Sequence, residues 1–392
     1  MSHLRRKQPP EAAVLRDQPR GRLDGRDVTP ALGTRGQPGP YRRAVEGAKV
    51  ALAKPRWGDA RWSYLFGPDT RYRSSGADDD AEVASSARAA RGHDDPDITV
   101  HGPIMKPAVW TWEVPLYFWL GGIAGGSSLI GLACDVAGDH RSAAVARKLA
   151  LGAVMPGAPL LILDLGRPER FFNMLRIFKP RSPMSMGAWC LMGFSTVAGG
   201  AVTADLAGRE REARALGGLL ALLGTYLGSY TGALLAATAV PVWGRSRLFL
   251  GPIFVCTATA TGAAANRLVL VATGMPVGHP TRNALGTIET VAMAGELALS
   301  TINEKRLGRL AQSLEVGRPG RLFQAAKWMV RSGLALHFGR ARGGPWVHHV
   351  ASVLYLLAGL CFRFAWVGAG RTSAQDDEAV ARMARLRGRK AA

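Results

Sequence analysis

The chain has 392 residues, with 50 Lys and Arg against 29 Asp and Glu, and 47% of its residues are hydrophobic. A net charge of +21 would suit a nucleic-acid-binding protein. The basic residues stand in short loops between long apolar runs, however, which is the distribution expected of a membrane protein. The four cysteines stand one per apolar run without CxxC or Cys/His spacing, so the sequence supports neither a zinc site nor an iron–sulfur site.

Residues 1–107 form a polar N-terminal arm that is rich in Arg, Asp, Gly and Pro. Low hydrophobicity and mixed charge predict disorder over most of this arm. No apolar run follows its first basic residues, so we expect no secretory signal. The segment 41–66 places aromatic residues among arginines. This segment is either a solvated linker or a docking segment that orders against a partner subunit, because aromatic residues and Arg are favoured interface anchors.

The first long apolar run, 108–134, contains a single formal charge, Glu113. It is longer than the roughly 20 residues that a helix needs to cross a hydrocarbon core of about 30 Å. Glycines and serines in its second half predict a face that another helix can approach closely in lipid. Glu113 and Tyr117 are four residues apart and therefore share a face. An ionisable residue at membrane depth usually faces the bundle interior and has a function.

The apolar runs predict an all-α fold, a polytopic transmembrane bundle of about eight spans over residues 108–370, arranged as two four-helix bundles and followed by a basic tail at 371–392. A polar loop is expected at 135–148. Lys327 and Arg331 interrupt the seventh run, which could instead lie on the surface as an amphipathic helix, leaving seven spans. The runs after the first are 149–165, 183–206, 215–240, 248–271, 284–303, 320–339 and 345–368.

Two groups of ionisable residues inside or beside these runs are candidates for proton transfer. Glu289 and Glu296 are seven residues apart in the sixth run, so they lie near one face, and two carboxylates in one span are costly in lipid. We hypothesise a proton route from Glu289 through Glu296. Asp164 and Arg167 stand three residues apart at the end of the second run. They either form an ion pair that fixes the turn or use Asp164 to pass protons.

Residues 164–189, DLGRPERFFNMLRIFKPRSPMSMGAW, resemble the membrane subunits of the polysulfide reductase family of the NrfD/PsrC type, which anchor molybdenum enzymes. The family's first-helix pattern, W-x-x-x-x-[YH]-F-x-x-x-G-x-A-x-G, fits residues 112–126. A late RF-x-x-x-x-AG pattern fits residues 363–370. The resemblance covers about residues 108–375 and leaves out the N-terminal arm.

This resemblance implies a subunit without haem or metal that exchanges electrons between a membrane quinone, menaquinone or ubiquinone, and a four-cluster ferredoxin-like iron–sulfur subunit. That partner serves a molybdopterin catalytic subunit, so this chain is expected to be a non-catalytic or quinone-site subunit. The histidine and tyrosine of the family's quinone site align with Tyr117 and Tyr230. A family asparagine falls on Val114, and we interpret Glu113 as its substitute. Residues Glu113, Tyr117 and Tyr230 are thus the expected quinone site.

Other interpretations of the same residues stay open. Tyr117 alone would suit an aromatic belt at the membrane interface, and Tyr230, one turn after Tyr226, would suit an ordinary interhelical hydrogen bond. Buried carboxylates in glycine-rich helices are also typical of a secondary transporter or a proton-translocating module. A purely structural anchor is a third alternative. Loop charges favour a topology with both termini in the cytoplasm, whereas many members of the family face outward. We expect a multi-pass protein of a bacterial cell membrane.

Overall fold

The computed structural model describes residues 105, 107–108, 110–165, 171–338, 346–377 and 379–380. Every regular element in these residues is a helix, which confirms the predicted all-α fold. The docking segment at 41–66, Arg167 and the end of the basic tail lie outside the described residues.

The helices of the described residues are mostly long and are joined by short turns. They are α1 (Glu113–Val136), α2 (His140–Val154), α3 (Gly157–Asp164), α4 (Phe172–Arg176), α5 (Pro183–Leu206), α6 (Glu210–Ala236), α7 (Pro241–Arg245), α8 (Arg247–Ala272), α9 (Pro280–Leu307), a 3₁₀-helix (Gly308–Leu314), α10 (Gly317–Phe338) and α11 (Trp346–Ala374).

Six helical segments are long and apolar enough to cross a membrane, namely α1, α2 continued by α3, α5, α6, α8 and α11. The chain is therefore a multi-pass membrane protein. Helices α9 and α10 have 28 and 22 residues but are more polar. With them the described residues contain eight long helical segments, so eight spans remain compatible with the structure and stay a prediction.

The long helices pack as two groups of four. Helices α1, α2, α5 and α6 contact one another in the first bundle, and α8, α9, α10 and α11 do so in the second. Helix α8 joins the groups because it packs against both α1 and α6. Helix α10 lies along α11, where the ring of Tyr355 fills the space that Gly333 leaves. This packing disfavours a detached amphipathic helix at 320–339.

The predicted polar loop at 135–148 is wrong in extent, because α2 already begins at His140. The side chain of Asp139 caps this helix by accepting a hydrogen bond from the amide of Ser142 at 3.0 Å. The helix then continues through Arg147, whose charge is compensated inside the bundle. The charged residues of this stretch predicted a loop. They are helical because Asp139 caps the helix and because Arg147 forms ion pairs with Asp135 and Asp205.

Arg147 ties three helices of the first bundle together. Its Nε and Nη2 each donate to the carboxylate of Asp205 on α5 at 2.7 Å, and its Nη1 donates to Asp135 on α1 at 2.5 Å. The side chains of Arg147, Asp135 and Asp205 are only 3%, 7% and 10% exposed. The guanidinium thus makes a bidentate pair with Asp205 and a further hydrogen bond to Asp135, so three of its nitrogens donate to carboxylates.

Glycine permits α1 to touch both α6 and α8. A Cβ atom on Gly125 would lie 2.7 Å from the carbonyl oxygen of Gly224 on α6, and one on Gly126 would collide with the carbonyl oxygen of Ala258 on α8. A Cβ on Gly262 of α8 would lie 2.6 Å from the backbone of Gly126. The three backbones are therefore in direct contact, as the small-residue face of the first run predicts.

We expect Gly126→Ala to destabilise the protein by about 1–3 kcal/mol, because the added methyl group meets backbone that cannot move away as a side chain could. Gly121→Ala in the same helix is the matched control, since a Cβ there has no atom within 4 Å. Thermal unfolding in mild detergent measures both variants. Equal unfolding temperatures would contradict the close helix contact.

Arg147→Ala leaves two buried carboxylates without their cation, so we expect a loss of about 3–5 kcal/mol of stability. The matched control is Arg141→Ala, one helical turn and a half earlier, at an exposed position of α2. Chemical unfolding followed by tryptophan fluorescence measures the difference. If both variants have the same free energy of unfolding as the unmodified protein, the ion pairs of Arg147 do not stabilise the contact of α2 with α1 and α5.

Candidate functional site

Two phenols from different helices meet in the interior of the first bundle. The hydroxyl oxygens of Tyr117 on α1 and Tyr230 on α6 lie 2.5 Å apart, and the residues are 1% and 5% exposed. One hydroxyl donates to the other, which leaves the accepting phenol with its own hydrogen for a third group. Hydrogen bonds in such a chain polarise one another. The pair is thus a buried donor suited to a carbonyl oxygen.

Glycines stand where other helices pass the two rings. A Cβ on Gly157 at the start of α3 would lie 3.3 Å from the ring of Tyr117, and a Cβ on Gly187 of α5 would lie 2.8 Å from Cζ of Tyr230. The backbones of α3 and α5 therefore pack directly against the two phenol rings, because glycine has no side chain to separate them.

The ring of Tyr226 stacks on that of Tyr230, with centroids 5.7 Å apart and planes 8° apart. Since Tyr226 is 36% exposed, this stack connects the buried pair to the outer face of the bundle.

Glu113 occupies the first turn of α1 and is 1% exposed. It lies one turn before Tyr117 on the same face, and Thr111 donates a hydrogen bond from its hydroxyl to the Glu113 carboxylate. Val114, at the position of the family asparagine, is 4% exposed and belongs to the apolar core. The polar group that this turn places in the interior is therefore Glu113.

Asp164 is the last residue of α3 and is half-buried. Helix α3 packs against α1 with Gly157 beside Tyr117, so Asp164 lies at the end of the bundle where α1 begins. Its expected partner Arg167 lies outside the described residues, and the ion pair between them stays a prediction.

Glu289 on α9 is fully buried and bound on both sides. Its carboxylate accepts a hydrogen bond from Nη1 of Arg267 on α8 at 2.6 Å, and Ser352 on α11 donates to its two oxygens at 2.9 and 3.0 Å. The Arg267 side chain is 4% exposed. Glu289 therefore belongs to a contact ion pair that joins three helices of the second bundle.

Glu296 lies two turns further along α9 and is 4% exposed. Its carboxylate accepts a hydrogen bond of 2.6 Å from the hydroxyl of Ser300, one turn later in the same helix. Both Glu289 and Glu296 thus face the interior, as their spacing predicts. Unlike Glu289, Glu296 makes no salt bridge within 4.0 Å to a described residue.

Sequence reasoning missed several residues of these sites. Arg267 interrupts the fifth apolar run, and a lone arginine in an apolar run is a readable signal of a buried polar site. Ser352 gave no such signal, because serine is common in membrane helices. The roles of Gly157 and Gly187 depend on which ring each glycine meets, and this requires the packed structure.

No group of three or more His, Cys, Asp or Glu residues that could hold a metal ion occurs in the part of the chain that the structure describes. The four cysteines are free, with Cys134 buried and the other three half-buried.

A comparison with curated proteins found no match to this chain. The model of a protein family described as polysulphide reductase, NrfD, matches residues 103–338, more than half of the chain and all of helices α1 to α10. This family consists of membrane subunits of molybdoenzyme complexes. The matched region contains both tyrosines of the buried pair and both buried carboxylates of α9. The chain therefore belongs to the polysulphide reductase NrfD family of membrane subunits.

Proposed function

We propose that this chain is the quinone-reactive anchor of a respiratory oxidoreductase complex. The observation that carries the proposal is the buried contact between the hydroxyls of Tyr117 and Tyr230, beside backbone that carries no side chain at Gly157 and Gly187. A quinone site needs hydrogen-bond donors for a carbonyl oxygen and a flat apolar slot for the ring. Menaquinone or ubiquinone would supply the two-electron chemistry, and the tyrosine pair would orient its carbonyl oxygen.

The electrons would come from, or go to, a four-cluster ferredoxin-like iron–sulfur subunit that serves a molybdopterin catalytic subunit. Tyr117 lies about 6 Å into α1 at 1.5 Å per residue, so the pair is close to the end of the bundle where α1 begins. Helix α4, the start of α5 and the connection between them expose apolar side chains among basic residues at that end, namely Phe172, Ile177, Phe178 and Met184. Such a surface supports docking of a partner subunit at this end.

Reduction of a quinone also takes up two protons, and buried carboxylates can carry them. Glu113, one turn from Tyr117, and Asp164 with Arg167 would serve the pair from the end where α1 begins. Glu289 and Glu296 would form a route from the opposite end through α9. Because Glu289 is held by Arg267, proton transfer along this route requires that ion pair to open.

The distribution of basic residues supports a topology with both termini in the cytoplasm, and the membrane would be a bacterial cell membrane. Of the basic residues between α1 and α3, Arg147 is neutralised inside the bundle by Asp135 and Asp205. Arg147 therefore does not count among the loop cations of that end, so the excess of basic loop residues at the end where α1 begins becomes larger.

A transporter or proton-translocating module without redox chemistry is the second candidate. The observation that favours it is the buried pair of Arg267 and Glu289 together with Glu296 in the second bundle, away from the tyrosine pair. Purification in mild detergent separates the candidates. Copurified iron, molybdenum and quinone support the redox anchor, whereas a protein that carries none of them supports transport.

We expect Tyr230→Phe to lower the rate of quinone reduction by the purified complex by about tenfold to a hundredfold, because the Tyr117 hydroxyl loses the partner that orients and polarises it as a donor to a carbonyl oxygen. Tyr355→Phe is the matched control, since Tyr355 is also buried but lies in the second bundle. Steady-state kinetics with a short-chain quinone measures both variants. Equal rates would remove Tyr230 from the quinone site.

We expect Glu296→Gln to slow proton uptake during quinone reduction by about tenfold or more, because the amide cannot accept and release a proton. Glu304→Gln is the matched control in the same helix, since Glu304 binds Lys327 at 2.7 Å near the helix end. A pH-sensitive dye in proteoliposomes reports the uptake. Proton uptake at the unmodified rate would exclude the route through Glu296.

A further inference from the structure

An open groove lies on the surface of the second bundle, between α9 and α10. Its volume is about 410 Å³. Residues that share one face of α9 line it, namely Ala294, Ala298, Thr301 and Lys305, and Leu334 of α10 borders it. The groove exists because α10 packs chiefly along α11, which leaves part of α9 uncovered, and because alanine side chains fill little of the gap.

The groove is apolar along its length and charged at one end. The hydroxyl of Thr301 donates to the carbonyl oxygen of Leu297 at 2.7 Å, so its hydrogen is already used within α9. The charge belongs to Lys305, an exposed residue that makes no salt bridge within 4.0 Å to any residue the structure describes. The adjacent carboxylate, that of Glu304, binds Lys327 of α10 at 2.7 and 3.0 Å instead. Lys305 is therefore a cation without a contacting carboxylate at the end of an apolar groove.

The charged end of the groove lies at the edge of the hydrocarbon core. Asn303 donates to the hydroxyl of Ser246 at 3.0 Å, and Ser246 directly precedes α8, which is long and apolar enough to cross a membrane. Lys305, two residues further along α9, is therefore level with the end of a membrane span. From Lys305 to Ala294 the helix rises about 16 Å at 1.5 Å per residue. This is close to half of a hydrocarbon core of about 30 Å, so the groove has the depth of one leaflet.

The length and the charge of the groove fit a phospholipid better than a protein helix. A helix of a second copy or of another subunit would pack along the whole height of the bundle. The groove instead stops near Ala294, and Val291, almost one turn earlier, is 65% exposed and does not line it. An acyl chain crosses one leaflet and needs no hydrogen-bond partner, and basic residues beside membrane helices attract anionic headgroups. The same end of the second bundle carries further basic residues, Arg306, Arg309 and Arg318.

We propose that this groove binds an anionic phospholipid of the surrounding membrane, with one acyl chain between α9 and α10 and the phosphate of the headgroup at the ammonium of Lys305. The chain fills the gap that the alanines of α9 leave, and the phosphate supplies the negative charge that Glu304 does not. A lipid bound in this way stabilises the packing of α10 against α9, because it binds only the folded bundle.

Native mass spectrometry in mild detergent tests the headgroup contact. The full-length protein, with any subunits that copurify, is depleted of lipid and titrated with phosphatidylglycerol or with phosphatidylcholine of the same acyl chains. We expect Lys305→Gln to weaken binding of phosphatidylglycerol by about fivefold, because one lysine near an anionic headgroup is lost. Phosphatidylcholine should bind both forms as weakly as phosphatidylglycerol binds the variant. Lys148→Gln is the matched control, since Lys148 is exposed on α2 of the other bundle.

Filling the groove tests the position of the acyl chain. We expect Ala298→Phe to weaken binding of phosphatidylglycerol by about tenfold or more, because the added ring occupies the space of the chain. Leu222→Phe is the control for an added ring, since Leu222 is 68% exposed on α6, away from the groove. Thermal unfolding identifies a variant that fails to fold, and Lys305→Gln, at an exposed position, then decides. Phosphatidylglycerol with a photoreactive group in its acyl chain should label residues 294–305 and the segment around Leu334.

Equal affinity for the two lipids, unchanged in Lys305→Gln, would overturn the inference, as would label confined to other helices. Dimers without retained lipid that Ala298→Phe dissociates would also overturn it, because a second copy of the chain would then occupy the groove. None of these measurements depends on reaction with quinone, so their outcome does not alter the proposed function.

Discussion

The direct backbone contact of α1 with α6 and α8 is the constraint on which the rest of this structure depends. In lipid, helices gain little from burying apolar side chains, so association relies on close packing and internal hydrogen bonds. Gly126 and Gly262 remove the side chains that would separate α1 from α8, and Gly125 and Gly224 do the same between α1 and α6. Only at this separation can the phenols of α1 and α6 share a hydrogen bond of 2.5 Å.

The buried charges divide into those that hold helices together and those that can change state. Arg147 with two aspartates, and Arg267 with Glu289, are contact pairs that each join helices of one bundle. Such pairs stabilise a particular arrangement because removing one partner leaves a buried charge. Glu296 and Arg363 make no salt bridge within 4.0 Å to a described residue, and the Arg363 side chain lies where α8 meets α1.

Much of the fold could be predicted from sequence, because apolar length and small-residue faces are local properties. The first, third and fifth runs correspond to α1, α5 and α8, and the two tyrosines that the resemblance assigns to one site, Tyr117 and Tyr230, are in contact. The start of α2 was missed although Asp139 is a local cap signal, because the charge of Arg147 inside the helix is compensated only after folding, by aspartates from α1 and α5. The role of Arg267 was missed for a related reason. Its partners lie on α9 and α11, and spacing within a single helix does not identify them.

Labelling with a photoreactive quinone analogue tests the central claim most directly. After illumination of the purified complex, peptide mass spectrometry locates the label, and an excess of unmodified quinone serves as competitor. The account predicts label that the competitor removes, on α1 around Tyr117, on α6 around Tyr230 and on α5 around Gly187. Label confined to the second bundle, or label that the competitor does not reduce, would contradict a quinone site at the tyrosine pair.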